Sequence, residues 1–273
     1  MVDRYAVIGN PVAHSRSPFI HTEFAREEGI SIVYESLCAE KDNFVSVVNA
    51  FMETGGRGLN VTLPFKENAF RMATECTERA CAAEAVNTIT FRDGKVYGDN
   101  TDGVGLVRDI VKNLDVPITG KRVLILGAGG AARGIIVPLF AEHPAQLTIA
   151  NRTLIKAEAL VHRFSRWGVC NAVSYHKLVG ERFDVVINAT SSSLHNELPP
   201  IPVGLFSART LAYDMVYGKG LTPFLRRAQS ENAGMLADGV GMLVEQAAES
   251  WLIWRGTRPG TRRVTHKLRE LLA

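Results

Sequence analysis

The sequence predicts an α/β protein of two parts, the second built on a doubly wound parallel sheet. Three observations predict it. From Lys121 onward, apolar strand segments alternate with helical ones at the spacing of βαβ units. The first of those strands, VLIL, runs straight into the glycine turn GAGG. Before Lys121 the pattern is mixed, and NTITFRDGKVYGD reads as an antiparallel hairpin around Asp93-Gly94.

Taken in order, YAVIG (5–9) is a strand, NPVAHSRS a polar loop, and a helix follows from Pro18. A strand at 32–38 and a helix at 41–53 lead to Gly55-Gly56. The strand LNVTL comes next, with Pro64 where a helix would begin. A helical region runs through Ala85 to the hairpin. TDGVGLVRDIVKNL is a helix capped by Thr101 or Asp102. KRVLILGAGGAARGIIVPLF is a buried strand, a glycine turn and a helix. QLTIANRT, FDVVINATSSS and RTLAYDMVYG are three further strands with polar ends. A long helix, GVGMLVEQAAESWLIWRG, begins near Asp238, and a polar helix closes the chain. The expected organisation is a first domain of residues 1–102, to which the C-terminal helices of 239–273 return, and a nucleotide domain of 103–238. Glycines near 103–105 and 239–241 are candidate hinges for closing a cleft between the two.

Composition narrows the function. The chain of 273 residues is 46% hydrophobic and 22% charged with a net charge of +3, and its basic residues are scattered. That pattern points away from nucleic acid. No apolar run approaches the roughly 18 residues of a membrane span, and the N-terminus enters a strand without a signal-peptide pattern, so a cytoplasmic location is expected. The four cysteines, Cys38, Cys76, Cys81 and Cys170, include no CxxC and no zinc spacing with histidine, so reduced thiols and no metal are expected.

VLILGAGGAA fits G-x-G-x-x-G/A, with Gly127, Gly129 and Ala132 in the three roles. The first glycine allows the tight turn, the second admits a pyrophosphate, and the small third residue lets helix and strand pack closely. Backbone from Gly127, Ala128, Gly129, Gly130 and Ala131 would face the phosphates in this Rossmann-like domain. An NAD site places an acid at the end of the second strand; this one ends IANRT, with no acid until Glu158. Asn151, Arg152, Thr153 and Lys156 offer two cations and two hydrogen-bonding groups, which suit the 2′-phosphate of NADP.

The stretch NVTLPFKE carries an anomaly. Lys66 falls in the first turn of a helix, where unpaired N–H groups disfavour a cation, while Glu67 beside it is the expected type. Ser15 and Ser17 flank Arg16 before Pro18, which suits an ordinary helix cap and equally an anion site. Asn60 and Thr62 share one strand face. Asp102 reads most simply as a cap. Gln246 borders an apolar helix face with Leu243, Ala247 and Trp251, and Tyr217 suits packing or ligand contact equally.

GNPVAHSRSP, NVTLPFK, AVNTI, GDNTDGVG, GAGGAAR, NRT, INATSS, YDMVYGKGLTPF and DGVGMLVEQAA occur together and in order. End to end, the chain resembles the shikimate dehydrogenase family. The resemblance implies reversible NADPH-dependent reduction of 3-dehydroshikimate to shikimate. It makes Lys66 and Asp102 a catalytic pair and gives the substrate carboxylate to Ser15 and Ser17. Asn60, Thr62, Asn87, Gln246 and Tyr217 become further substrate contacts, with Thr190, Met215 and Gly239 near the cofactor. It also favours a monomer. Two alternatives stand beside it: a quinate/shikimate dehydrogenase of broader substrate and cofactor use, and a non-catalytic NADP-binding sensor on the same fold. Ser193 departs from the family pattern, where glycine is frequent, and a loop backbone needing positive φ is expected to be altered there.

Overall fold

A computed structural model describes residues 2–273. The chain divides into two compact units, one formed by residues through Gly105 with Val244–Leu268, the other by Leu106–Leu243 with Arg269–Ala273.

The first unit is built on a mixed six-stranded sheet in the order β2-β1-β3-β5-β6-β4. Its strands are β1 (Asp3–Gly9), β2 (Ile32–Cys38), β3 (Gly56–Val61), β4 (Glu75–Cys76), β5 (Thr88–Arg92) and β6 (Lys95–Asp99). β1 runs parallel to β2 and β3, whereas β5 is antiparallel to both β3 and β6. Asp93 (φ 52°) and Gly94 (φ 71°) close the β5–β6 hairpin. Two consecutive left-handed residues are what a two-residue turn between twisted strands demands. The helices wholly or mainly in this unit are α1 (Ser17–Glu27), α2 (Phe44–Glu53), α3 (Lys66–Met72), α4 (Glu78–Ala83), α5 (Asp102–Arg108) and, from the end of the chain, α9 (Val240–Arg255) and α10 (Arg262–Leu272).

Strand alternation decides what each face meets. Leu59 and Val61 of β3 point into an apolar cluster with Phe44, Phe51 and Phe65. Asn60 points the other way, where its Nδ2 donates to Ser250 Oγ of α9 at 2.9 Å. On that face Gly58 is required, because a Cβ would come within 2.4 Å of Trp254 Nε1. Trp254 in turn donates to the Ile89 carbonyl at 3.0 Å. α9 is buried on nearly every side, with Val244, Gln246, Ala247, Ser250 and Trp251 all buried, so it is no amphipathic surface helix and Leu243 is only half-buried.

The second unit holds an all-parallel sheet in the order β12-β11-β10-β7-β8-β9. Its elements are β7 (Arg122–Leu126), α6 (Gly130–Ala141), β8 (Gln146–Ala150), α7 (Leu154–Phe164), β9 (Cys170–Val173), β10 (Val185–Asn188), β11 (Leu211–Asp214), α8 (Pro223–Ser230) and β12 (Met235–Ala237). The chain moves outward from β7 through β8 to β9, then returns to β10 on the other side. The strand order therefore reverses between β7 and β10, the place where a doubly wound sheet binds ligands beyond its carboxyl ends. Val123 to Leu126 and Val185 to Ile187 are wholly buried, which is why those strands read as unbroken apolar runs.

Several features depart from the sequence reading. The single helical region through Ala85 is two helices with the short strand β4 between them, and residues 109–113 continue α5 as a wider π-turn. The sequence reading places no element at β9, β12 or α8, although Phe224, Leu225 and Ala228 give α8 a buried apolar face. Gly105 and Gly239 are not merely flexible joints: a Cβ on Gly105 would strike the Gln246 backbone at 2.7 Å, and one on Gly239 the Met215 carbonyl at 2.2 Å. No described helix is long and apolar enough to cross a membrane.

Candidate active site

α3 opens at Lys66, after a cis Leu63–Pro64 peptide, and Phe65 at its cap position offers no side-chain acceptor. The helix starts two residues later than Pro64 suggested, so the lysine is its first residue. Its ammonium does not sit against the helix end alone. Lys66 Nζ donates to Asp102 Oδ2 at 2.5 Å, with both side chains mostly shielded. Asp102 opens α5, yet its carboxylate is not spent on capping: Oδ1 accepts from Asn87 Nδ2 at 2.8 Å. The helix-cap reading of Asp102 is therefore superseded, because both oxygens are taken by side chains that the fold delivers.

The orientation of Asn87 is set by a donor of fixed identity. The backbone N–H of Thr101 donates to Asn87 Oδ1 at 2.8 Å, and Thr88 Oγ1 adds a second donor at 2.9 Å. The oxygen must face those groups, so the NH2 must face Asp102. Nδ2 also reaches Thr101 Oγ1 at 2.9 Å and Gln246 Oε1 at 3.3 Å. The result is a chain of polar groups, Lys66–Asp102–Asn87–Gln246, drawn from α3, α5, the residue before β5 and α9. Buried at 3% and 9% exposure, Asn87 and Gln246 stay in place only because their partners are present.

Asn60 is held from both ends. Tyr34 donates its hydroxyl to Asn60 Oδ1 at 2.7 Å while Asn60 Nδ2 contacts Ser250. Ser250 shares a 2.7 Å bond with Thr88. Tyr34, Thr88, Thr101 and Ser250 complete this polar network, and the sequence reading placed none of them in it. Hydroxyls on strands and helices have no local signature, and only β3 packing on α9 brings them together. Ser17 is buried as the first residue of α1, whereas Ser15 is half-buried and accepts from the Ser17 N–H at 3.3 Å. Arg16, not a serine, occupies the cap position, and it makes no side-chain cap. Thr62 follows β3, its N–H bonded to the Ile8 carbonyl at 2.9 Å and its methyl close over Gly9. Below this region His21 is fully buried against Tyr34 and Trp251, with neither ring nitrogen in hydrogen-bond geometry. Burial pushes its imidazole down to about 3, against a weak opposing pull from Asn60.

The dinucleotide turn lies at the sheet's reversal in the second unit. Gly127 has φ +104°, and a Cβ there would lie 3.0 Å from Thr190 Cγ2, so the turns after β7 and β10 touch. Gly129 faces open space, where an added Cβ would meet nothing within 4 Å. Gly130 and Ala131 begin α6 without a side-chain cap, leaving first-turn amides directed at that space. Ala128 stands between, half-buried. At the end of β8, Asn151 Nδ2 donates to the Thr153 carbonyl at 2.8 Å, and Arg152, Thr153 and Lys156 are exposed around the start of α7. An uncapped glycine-lined cradle with two exposed cations suits a dinucleotide carrying an extra phosphate. Among the described residues no cluster has the composition of a metal site.

Met215 and Tyr217, both half-buried, follow β11. Tyr217 belongs to the second unit, whereas the other residues assigned to substrate belong to the first. The expectation for Ser193 needs correction: the left-handed residue of its loop is Asn196 at φ 55°, and Ser193 needs no positive φ. Its hydroxyl donates instead to Asp214 Oδ2 at 2.7 Å, joining Thr222 at 2.6 Å on the same oxygen.

Comparison with known proteins finds relatives over the full length of the chain. Residues 7–89 match the family model described as the shikimate dehydrogenase substrate binding domain, and residues 108–196 that of shikimate / quinate 5-dehydrogenase. The shikimate dehydrogenase (NADP(+)) of Chromobacterium violaceum is 70% identical over 273 residues, covering all of both chains. Among solved structures, an Ael1 enzyme from Pseudomonas putida is 47% identical with a TM-score of 0.94, over 97% of this chain and 98% of that one. The shikimate 5-dehydrogenase of Thermus thermophilus in complex with NADP(H) and shikimate is 30% identical with a TM-score of 0.88, over 100% of each chain.

Proposed function

The chain belongs to the shikimate dehydrogenase family, and on that premise we propose that Lys66 and Asp102 handle the proton in its reversible NADPH-dependent reduction of 3-dehydroshikimate to shikimate. It is an oxidoreductase acting on a CH–OH group. The Gly127–Gly129 turn would hold NADPH, with Arg152 and Lys156 at its 2′-phosphate, and the bound cofactor would supply a hydride to the ring carbonyl carbon.

The chain's own residues do the rest. As the carbonyl oxygen gains negative charge it needs a proton, and the Lys66 ammonium is the donor. Asp102 fixes that ammonium by accepting from Nζ, and Asn87 fixes Asp102. In the oxidative direction the same amine receives the proton. Ser15 and Ser17 at the start of α1 hold the substrate carboxylate, with Thr62, Asn60, Asn87 and Gln246 directed at the ring hydroxyls. In this reading residues 1–102 and 239–273 serve the substrate and residues 103–238 the cofactor, with Thr190, Met215 and Gly239 beside the nicotinamide and Tyr217 a further substrate contact. The observation that carries the assignment is the 2.5 Å Lys66–Asp102 contact, made by two residues 36 positions apart in sequence.

A second reading, broader use of quinate, draws on the matched family description that names both substrates. Initial rates on shikimate and quinate, each with NADP and NAD, separate the two. Shikimate with NADP is expected to give the highest kcat/KM; quinate turnover with NAD at a comparable kcat/KM would replace the first reading with the second. The same proposal takes the enzyme as a cytoplasmic monomer, for which light scattering should give the mass of one chain.

A further inference from the structure

Cys76 and Cys81 take no part in the chemistry above, yet the fold brings them together by a specific device. Thr77 caps α4, its Oγ1 accepting from the Ala80 N–H. Cys76 therefore precedes the cap and Cys81 is the fourth helical residue. Side chains at those two positions pack on one another across the start of a helix, the arrangement known for apolar residues as a hydrophobic staple. Here both are thiols. Cys81 Sγ points back at residue 76, lying 3.8 Å from the Cys76 carbonyl oxygen, and Cys81 is among the groups that shift the Cys76 thiol.

Their surroundings differ. Cys81 is exposed, whereas Cys76 is half-buried against the apolar cluster, its sulfur close over Gly98, where an added Cβ would come within 3.1 Å. Burial pushes the Cys76 thiol up to about 11, with Cys81 and Asp99 acting in the same direction. Cys38 is also exposed, but it lies on β2 at the opposite edge of the sheet from β4. Cys170 is buried in the other unit.

We propose that Cys76 and Cys81 form a redox-active dithiol that closes to an intramolecular disulfide when a small-molecule disulfide is the oxidant. The Cys81 sulfur, as thiolate, attacks one sulfur of the oxidant, forming a mixed disulfide and expelling one thiolate, which takes up the proton Cys81 lost. Cys76 then loses its proton, and its sulfur attacks Cys81 Sγ. The bond to the oxidant's remaining half breaks, and that half leaves as the second thiol. Two protein thiols are oxidised and one small disulfide is reduced to two thiols. The exposed sulfur reacts first because it can be reached. The half-buried one resolves because it is already adjacent. The closed bridge fastens the turn that carries Thr77 and Arg79, both hydrogen-bonded to Asp99 at 2.7 and 2.6 Å.

The test treats the native full-length enzyme with oxidised glutathione, then maps its peptides by mass spectrometry without reduction. Wild type should give a Cys76–Cys81 bridge and retain glutathione on Cys38 alone. Cys76→Ser should retain glutathione on Cys81, and Cys81→Ser should leave Cys76 unmodified. Both variants should keep wild-type kcat before oxidation, which shows that they fold. Glutathione persisting on Cys81 of the wild type, or no reaction at Cys81 short of denaturation, would overturn the proposal.

Discussion

Asn87 has no chemistry of its own, yet the geometry of Asp102 depends on it. Thr101 N–H and Thr88 Oγ1 fix its oxygen, and its NH2 is left for the carboxylate that holds Lys66. Hydrogen bonds to a charged partner contribute about 1.5–3 kcal/mol each. Asn87→Leu, which keeps the volume and removes the amide, should therefore lower kcat/KM for shikimate by roughly 10- to 100-fold, since each 1.4 kcal/mol is tenfold. Steady-state rates with saturating NADP check this; an unchanged kcat/KM would remove Asn87 from the site. The lysine itself was visible from sequence because it breaks a helix rule. Asn87's orientation was not, because it depends on a backbone N–H donor 14 residues away.

α9 shows how an element acts through what anchors it. Gln246 and Ser250 reach the site from this helix, and a ladder of charges ties its flank to the sheet. Arg79 binds Asp99 at 2.6 Å and Glu249 at 3.2 Å, and Arg258 binds Glu249 and Glu245, each at 2.6 Å. The Glu245 side chain is 2% exposed. Removing one partner of a buried pair strands the other charge, which costs about 3 kcal/mol or more. Arg258→Ala should lower the free energy of urea unfolding by that amount, and a loss under about 0.5 kcal/mol would show the ladder to be decorative. The strands and helices with a strong apolar period were legible in the sequence. β4 and β12, of two and three residues, were not, because a period cannot be read from so few positions. The full burial of α9 was hidden for another reason: its polar residues are paired inside the unit, so polarity no longer marks the exposed face.

At the scale of the whole molecule, one buried group links folding to pH. His21 is held down to about 3 in the native state, against about 6.5 in an unfolded chain. Above pH 6.5 both states are neutral there and the contribution is constant. As pH falls below that value the unfolded chain takes a proton that the native state refuses, so stability drops by up to about 1.4 kcal/mol per pH unit until the native value is reached. Between pH 7 and 5, wild type should lose about 2 kcal/mol more unfolding free energy than His21→Phe; equal losses would mean that His21 gains a proton without cost. The division into a mixed sheet and a doubly wound parallel sheet could be read from the chain, because the hairpin and the glycine turn each mark their own sheet. The residues that join Asn60, Asn87 and Gln246 could not, since they meet only in three dimensions. The central claim, that Lys66 moves the proton, is tested most directly by the kcat of Lys66→Ala with NADPH binding followed by fluorescence. The account predicts unaltered NADPH affinity and a kcat lowered by roughly 10²-fold or more, whereas a near-normal kcat with only a raised KM for the substrate would contradict it.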